Sequence, residues 1–151
     1  MTGHQTRAPF DGAKIALFLG DDLLVMMRDD RPDLPWPGAW DLPGGGREGN
    51  ETPEACVLRE VEEEFGLRLP PSRLRWHCIH PRPGLLPAHF FAGTLTAEDV
   101  AAIRFGDEGQ EWRLMPVAEF LHHPEAVPVL RSRVADCLAA GFRPEAATSG
   151  R

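Results

Sequence analysis

The chain has 151 residues, of which 42% are hydrophobic and 26% are charged, and its formal net charge is −7. This length and balance are typical of one globular domain with a sizeable buried core, and they argue against a disordered chain. No apolar run approaches the roughly 20 residues that span a bilayer, and the start of the chain lacks the layout of a signal peptide. Because no basic stripe is visible either, we expect a single domain over 1–142 that binds neither membranes nor nucleic acids.

The three cysteines, Cys56, Cys78 and Cys137, are odd in number and far apart in the chain. This spacing fits neither a disulfide framework nor a CxxC zinc site. We therefore expect reduced cysteines that serve as packing residues, which is typical of a cytoplasmic protein.

The first part of the chain favours short strands. Two apolar runs over 13–19 and 23–27, joined by Gly and Asp, predict a β-hairpin. A proline-rich loop follows over 29–37, and 39–42 suits a short strand. Three consecutive glycines, Gly44–Gly46, then mark a tight backbone path.

The second part of the chain alternates helices and strands. Thr52 as N-cap and Pro53 at the first helical position predict a helix that ends at Gly66. The remaining predicted elements are strands over 73–80, 89–95 and 111–115, a proline-rich loop over 81–87, a helical turn over 118–121, a closing helix over 126–140 and a disordered tail over 143–151. The fold class is therefore α/β (α+β), with one mixed sheet packed against helices.

Three carboxylates gather on one side of the predicted helix. At about 100° per residue, Glu60, Glu63 and Glu64 share an arc of about 100°, beside an apolar stripe of three residues. A solvated helix face is the ordinary explanation of a charge run. However, these acids repel one another at i, i+3 and i, i+4, and Arg59 is the only basic residue in the helix. The cluster therefore predicts a site for a hard cation, Mg²⁺ or Mn²⁺.

These residues belong to a longer motif. The pattern G-x5-E-x7-R-E-U-x-E-E-x-G-U, in which U is a bulky aliphatic residue, is filled at every position by Gly45, Glu51, Arg59, Glu60, Val61, Glu63, Glu64, Gly66 and Leu67. This is the Nudix box, and the chain resembles the MutT-like members of the Nudix hydrolase family. The resemblance implies a Nudix-type α/β/α sandwich in which a loop–helix–loop carries the box.

The resemblance also implies an activity, namely Mg²⁺-dependent cleavage of the pyrophosphate linkage of a nucleoside diphosphate derivative, with Mn²⁺ able to substitute. The metal ligands that it implies are the carboxylates of Glu60, Glu63, Glu64 and Glu108 and the backbone at Gly45. The same four glutamates and Arg59 would be the catalytic residues, and Glu51 would orient them without contacting the metal itself. Glu108 is included because Glu108-Gly109-Gln110, followed by Trp112, resembles a loop that adds a carboxylate in MutT-like members.

The expected substrate is a small nucleotide. Gly44 and Gly46 would let the backbone approach the phosphates, and Trp36 and Trp40 are candidates for stacking on a base. A (deoxy)nucleoside triphosphate or an oxidised nucleotide such as 8-oxo-dGTP is favoured. Hydrolysis of ADP-ribose or another nucleotide sugar is an alternative, and so is a non-catalytic Nudix-fold nucleotide sensor. The oligomeric state is open between monomer and homodimer.

Overall fold

The computed structural model describes residues 8–144. Their strands are β1 (Gly12–Leu19), β2 (Asp22–Met27), β3 (Trp40–Asp41), β4 (Gly44–Gly46), β5 (Trp76–Arg82), β6 (Leu85–Thr94) and β7 (Glu111–Pro116). Their helices are α1 (Pro53–Phe65), α2 (Ala97–Ala101), α3 (Val117–His122) and α4 (Pro128–Ala139), with a 3₁₀ turn over Pro71–Arg73. The predicted tail lies outside the described residues except for its first two positions.

The strands form one mixed sheet with the order β3-β2-β1-β6-β5. The β1–β6 pair is parallel, and β1–β2, β2–β3 and β5–β6 are antiparallel. Two strands join beside this path, since β4 pairs with β1 and β7 pairs with β2. Because β1 pairs with β2 only at Phe18–Leu19, while its other end pairs with β4 and that of β2 pairs with β3, the sheet is split between β1 and β2.

Helices cover both faces of this sheet. On one face, α1 contributes Val57, Val61 and Phe65 to a buried apolar cluster. On the other face, α3 and α4 contribute a second cluster that includes Phe120 and Val134. The predicted mixed sheet between helices is therefore confirmed.

Helix α1 begins and ends as the sequence predicts. The Thr52 side chain accepts a hydrogen bond from the Ala55 N–H, and Pro53 occupies the first turn. Gly66 ends the helix in the left-handed conformation, with φ of 69°. A residue with a Cβ is strained there, so Gly66 fixes the point at which the chain leaves the helix.

One prediction for the middle of the chain is wrong, and one helix was not predicted. The proline-rich segment 81–87 is not a loop, because β5 and β6 continue through Pro81 and Pro87 and turn at Pro83–Gly84. Pro81 is tolerated because β5 is an edge strand, where a missing N–H costs no ladder hydrogen bond. Helix α2 was not predicted, although Thr96 and Asp99 form a capping box at its start.

Two of the three cysteines are packing residues as predicted, because Cys56 and Cys137 are buried in the two apolar clusters, whereas Cys78 is partly exposed on the edge strand β5. None of the three is paired in a disulfide. Within residues 8–144, no helix has the length and apolar character needed to cross a membrane.

Candidate active site

A cavity of about 380 Å³ lies where β4 meets the middle of α1. Its walls include Glu60 and Glu64 from the helix, the three glycines of β4, and Glu108 from the loop before β7. We call it the carboxylate cavity. The structure therefore brings three of the four predicted ligand glutamates to one cavity, while Glu63 is not among its lining residues.

Glu64 is buried, with 6% of its surface exposed. Its Oε1 accepts a hydrogen bond of 3.0 Å from the Gly44 N–H. Burial raises the pKa of Glu64 to about 8, against the weaker opposing influence of the Lys14 charge and the Gly44 hydrogen bond. A carboxyl group with this pKa holds a proton at neutral pH unless a cation binds beside it.

Glu60 lies directly against the backbone of β4. A Cβ at position 45 would sit 2.6 Å from the Glu60 carboxyl carbon, so only glycine fits beside this carboxylate. Burial raises the pKa of Glu60, Arg59 lowers it, and the charges of Glu63 and Glu108 raise it further. The structure thus shows why the motif has glycine at position 45, and it places Glu108 close enough to act on Glu60 electrostatically.

Arg59 changes the interpretation of the acidic cluster. Its Nη1 lies 3.1 Å from Glu60 Oε2 and 3.2 Å from Glu63 Oε1. The sequence suggested that these carboxylates repel one another without a counter-charge, but Arg59 supplies one. Arg59 is the only basic residue of the helix, and its long side chain reaches both acids. Glu63 is half-exposed and is held in this ion pair.

Glu51 holds Arg59 in place. Glu51 Oε2 lies 2.5 Å from Arg59 Nε, and the Gly46 carbonyl accepts a hydrogen bond of 2.9 Å from Arg59 Nη2. The hydrogen bond from Arg59 lowers the pKa of Glu51. The pair is part-buried, and it ties α1 to the end of β4 in the way that a supporting role for Glu51 and Arg59 requires.

The backbone carbonyls of the three glycines already have partners. The carbonyl of Gly44 accepts from Lys14 Nζ at 3.2 Å, and that of Gly45 accepts from the Cys56 thiol at 3.6 Å. A metal ligand role for the Gly45 carbonyl therefore requires that the weak thiol contact be shared or broken.

The two acids near β7 lie in different places. Glu108 borders the carboxylate cavity, next to Gly109, whose φ is 88°. Glu111 is exposed at the start of β7, where Trp112 packs against the core on the opposite face. The loop aims only Glu108 at the cavity.

The two tryptophans do not reach the carboxylate cavity. Trp40 is 5% exposed and packs in the core beneath α3 and α4, so it has no free face on which a base could stack. Trp36 is exposed, but it lines a separate cavity between the 30–39 loop and Pro124–Ala126. The sequence placed both residues near the box, but it does not show which way their side chains point.

A charged network beside the cavity was missed. Asp41 is buried and receives Lys14 Nζ at 3.0 Å and Arg28 Nη1 at 2.8 Å. The Asp41 Oδ1 also accepts from the Leu42 N–H. All three charged residues line the carboxylate cavity. The sequence did contain a sign of this network, since Lys14 is the only lysine in the chain and interrupts an apolar strand, where a charged residue needs a partner.

A comparison with known protein families accounts for this arrangement. The sequence model of the NUDIX domain matches residues 9–137. The chain belongs to the Nudix family. The match covers every element from β1 to most of α4, and the box residues described above lie in its centre.

Curated Nudix relatives share shorter stretches with the chain. An 8-oxo-dGTP diphosphatase from Proteus vulgaris is 57% identical over 46 residues, which is 30% of this chain and 41% of that protein. An RNA pyrophosphohydrolase from Gluconobacter oxydans is 32% identical over 114 residues, 74% of this chain and 65% of that protein. The chain thus spans about two fifths of the first relative's length and just under two thirds of the second's.

Solved Nudix structures show the same fold. A MutT protein from Methanosarcina mazei Go1 superposes with a TM-score of 0.69 over 89% of this chain and 97% of that chain, at 19% identity. At this identity the likeness establishes the fold.

The Nudix site is suited to a divalent cation with help from a substrate. Within the described part of the chain, no three His, Cys, Asp or Glu side chains form a ready-made metal site. Mg²⁺, however, is usually held by one or two carboxylates together with substrate phosphates and water. The buried carboxyl of Glu64 and the carboxylate of Glu60, which fills the space of a missing Cβ, are hard oxygen donors that fit this requirement.

Proposed function

We propose that the chain is a Mg²⁺-dependent pyrophosphohydrolase that cleaves the pyrophosphate linkage of a nucleoside triphosphate, with Mn²⁺ able to replace Mg²⁺. One observation carries this proposal. Two partly or fully buried carboxyl groups, Glu60 and Glu64, and a loop carboxylate, Glu108, border one cavity beside a strand made only of glycine.

Each of these residues has a distinct task in the proposed reaction. Bound Mg²⁺ would neutralise phosphate oxygens and activate water for attack on phosphorus. Glu60 and Glu64 would hold the cation, and Glu64 would give up its proton on binding it. Glu108 orients the attacking water or accepts its proton from the loop side of the cavity.

The remaining charged residues position these groups. Arg59 is fixed by Glu51 and keeps the Glu60 carboxylate directed at β4. It also holds Glu63 near the site, where Glu63 could act as a further ligand. Lys14 lies beside Gly44 and Glu64, and its ammonium already donates to Asp41, to the Leu42 carbonyl and to the Gly44 carbonyl, so it would act on the phosphates mainly through its charge.

For the substrate we favour a (deoxy)nucleoside triphosphate or an oxidised nucleotide such as 8-oxo-dGTP. The local identity to the Proteus vulgaris 8-oxo-dGTP diphosphatase lends support. The second candidate is a pyrophosphate at the end of an RNA, because the Gluconobacter oxydans relative that matches over most of this chain is an RNA pyrophosphohydrolase.

A substrate panel tests this proposal. Purified protein is incubated with dGTP, 8-oxo-dGTP, ADP-ribose and a 5′-triphosphorylated RNA, each with Mg²⁺ or Mn²⁺, and released phosphate and pyrophosphate are measured. Hydrolysis of a triphosphate in preference to ADP-ribose supports the proposal. Preference for ADP-ribose favours a nucleotide-sugar pyrophosphatase, and binding without any hydrolysis favours a nucleotide sensor.

A further inference from the structure

A second cavity, of about 560 Å³, lies between the sheet and α4. We call it the α4 cavity. Five residues line both it and the carboxylate cavity, namely Lys14, Arg28, Asp41, Gly45 and Gly46. The two cavities therefore adjoin at the split between β1 and β2. Their volumes are in the range of small-molecule sites.

The α4 cavity is basic although the chain as a whole is acidic. Its charged lining comprises Lys14, Arg28, Arg82 and Arg133 against Asp11 and Asp41. Asp41 pairs with Lys14 and Arg28, and Asp11 pairs with Arg82 at 3.0 Å. Both acids are therefore already in ion pairs. The four basic residues of the lining carry more charge than these two carboxylates can neutralise.

Arg133 is the basic residue that this pairing leaves over. It projects from α4, and its Nε is buried without a hydrogen-bond partner among residues 8–144. No carboxylate in that range lies within ion-pair distance of it. Burial lowers the pKa of Arg133, and the nearby charge of Arg82 lowers it further. A half-buried guanidinium beside a second one costs stability unless an anion joins them.

The anion that this site would take is a phosphate. A guanidinium fork matches phosphate geometry and binds it through paired hydrogen bonds. The phosphates of the cleaved linkage belong at Glu60 and Glu64, and neither of these lines the α4 cavity. The cleaved phosphates occupy the 5′ position of the nucleotide. A further phosphate that reaches the α4 cavity would therefore be attached to the ribose at the 2′ or 3′ position.

We propose that the α4 cavity binds a phosphate group on the ribose of the substrate, outside the pyrophosphate that is cleaved, through Arg133 with Arg82 beside it. This proposal rests on the proposed function, because it takes the substrate to be a nucleotide held at the carboxylate cavity. Between the substrates proposed above, it favours the RNA end over a free nucleoside triphosphate, and more generally nucleotides with a 2′- or 3′-phosphate, either as a monoester or as the diester to a following nucleotide.

Metal-free binding tests this assignment independently of turnover. Isothermal titration calorimetry compares AMP, adenosine 3′,5′-bisphosphate, adenosine 2′,5′-bisphosphate and the dinucleotide pApA, none of which contains a pyrophosphate. Wild-type protein should bind at least one of the last three about 10- to 100-fold more tightly than AMP, the gain typical of a charge-assisted hydrogen bond. Preference for a bisphosphate indicates a monoester, and preference for pApA indicates a diester.

Two variants separate a specific contact from general charge. Arg133→Gln should remove the preference over AMP and leave the apo protein folded, since it takes away an unpaired charge. Arg131→Gln has the same charge change on the same helix, but Arg131 faces the His123 carbonyl, and this variant should keep the preference.

The assignment is overturned if wild type binds AMP as tightly as the other three, if none of them binds measurably, or if Arg133→Gln keeps the preference. Failure of the proposed function would appear separately, as absence of hydrolysis in the Mg²⁺ substrate panel.

Discussion

The two adjoining cavities differ in how their charges are balanced. In the carboxylate cavity, acids predominate, and Arg59 or Lys14 offsets part of their charge. In the α4 cavity, bases predominate, and Arg133 has no acidic partner among the described residues. The first balance suits a cation and the phosphates that it binds, and the second suits an anion. The glycine strand β4 lies between them, so one extended nucleotide can contact both.

The difference also concerns stability. The Glu64 side chain is buried and accepts a hydrogen bond from the Gly44 N–H. Its pKa is raised because burial makes the charged form of the carboxyl group less stable. Sites that bind charged ligands commonly keep such costs in the unliganded protein. Single substitutions of the residues that line a cavity should therefore separate loss of activity from loss of stability.

The largest effect should come from Glu60. Glu60→Gln removes the carboxylate that we propose as a cation ligand and that lies against Gly45, and kcat should fall by about 10²- to 10⁴-fold. Glu62→Gln is the matched control, because Glu62 lies on the same helix but pairs with Arg68 away from the cavity. Steady-state kinetics should show near-normal rates for Glu62→Gln. Equal rates for both variants would remove Glu60 from the site.

The next effect separates the two acids before and within β7. Glu108→Gln should lower kcat by about 10²-fold with little change in KM, because a carboxylate that acts on the attacking water contributes mainly in the transition state. Glu111→Gln should stay within a few-fold of wild type, since its side chain is exposed at the start of the strand. Kinetics and circular dichroism on both variants check this. If both lose little, α1 supplies every catalytic carboxylate.

The smallest effect concerns the stability of the unliganded protein. The pKa of Glu64 is about 8 in the fold and 4.5 in the reference state. Below pH 4.5 the group is protonated in both states, and above pH 8 the fold bears the full cost of a buried charge. Glu64→Gln keeps an acceptor for the Gly44 N–H, so it should stabilise the protein by up to a few kcal/mol at pH 8.5 and by much less at pH 5.

Urea unfolding of wild type and Glu64→Gln at several pH values measures this difference. A variant that is less stable than wild type at pH 8.5 would show that the Lys14 charge outweighs the burial of the carboxylate.

The sequence predicted the elements whose signals are local. Thr52, Pro53 and Gly66 determine where α1 begins and ends, and these caps need no distant partner. The Nudix box motif likewise gave the glutamates. The three glycines were expected to mark only a tight backbone path, and they form strand β4. Pro81 was misleading, because whether a proline can sit in a strand depends on whether that strand lies at an edge of the sheet, and β5 does.

The parts that could not be predicted depend on contacts between distant residues. Asp41 meets Lys14 across 27 positions and Arg28 across 13, and only the split in the sheet brings the three together. The burial of Trp40 depends on α4 in the same way, since that helix covers it from the far end of the chain. Helix α2 is different, because its capping box was present in the sequence and was overlooked.

The central claim is that the carboxylate cavity hydrolyses nucleotides with a divalent cation. The most direct measurement follows the release of phosphate or pyrophosphate from the best triphosphate as Mg²⁺ is titrated in, then removed with excess EDTA and restored. Activity should rise with Mg²⁺, disappear with EDTA and return when Mg²⁺ is restored. Half-maximal activity should need less Mg²⁺ at pH 8.5 than at pH 6.5, because Glu64 must lose its proton to bind the ion. Undiminished hydrolysis in excess EDTA would contradict it.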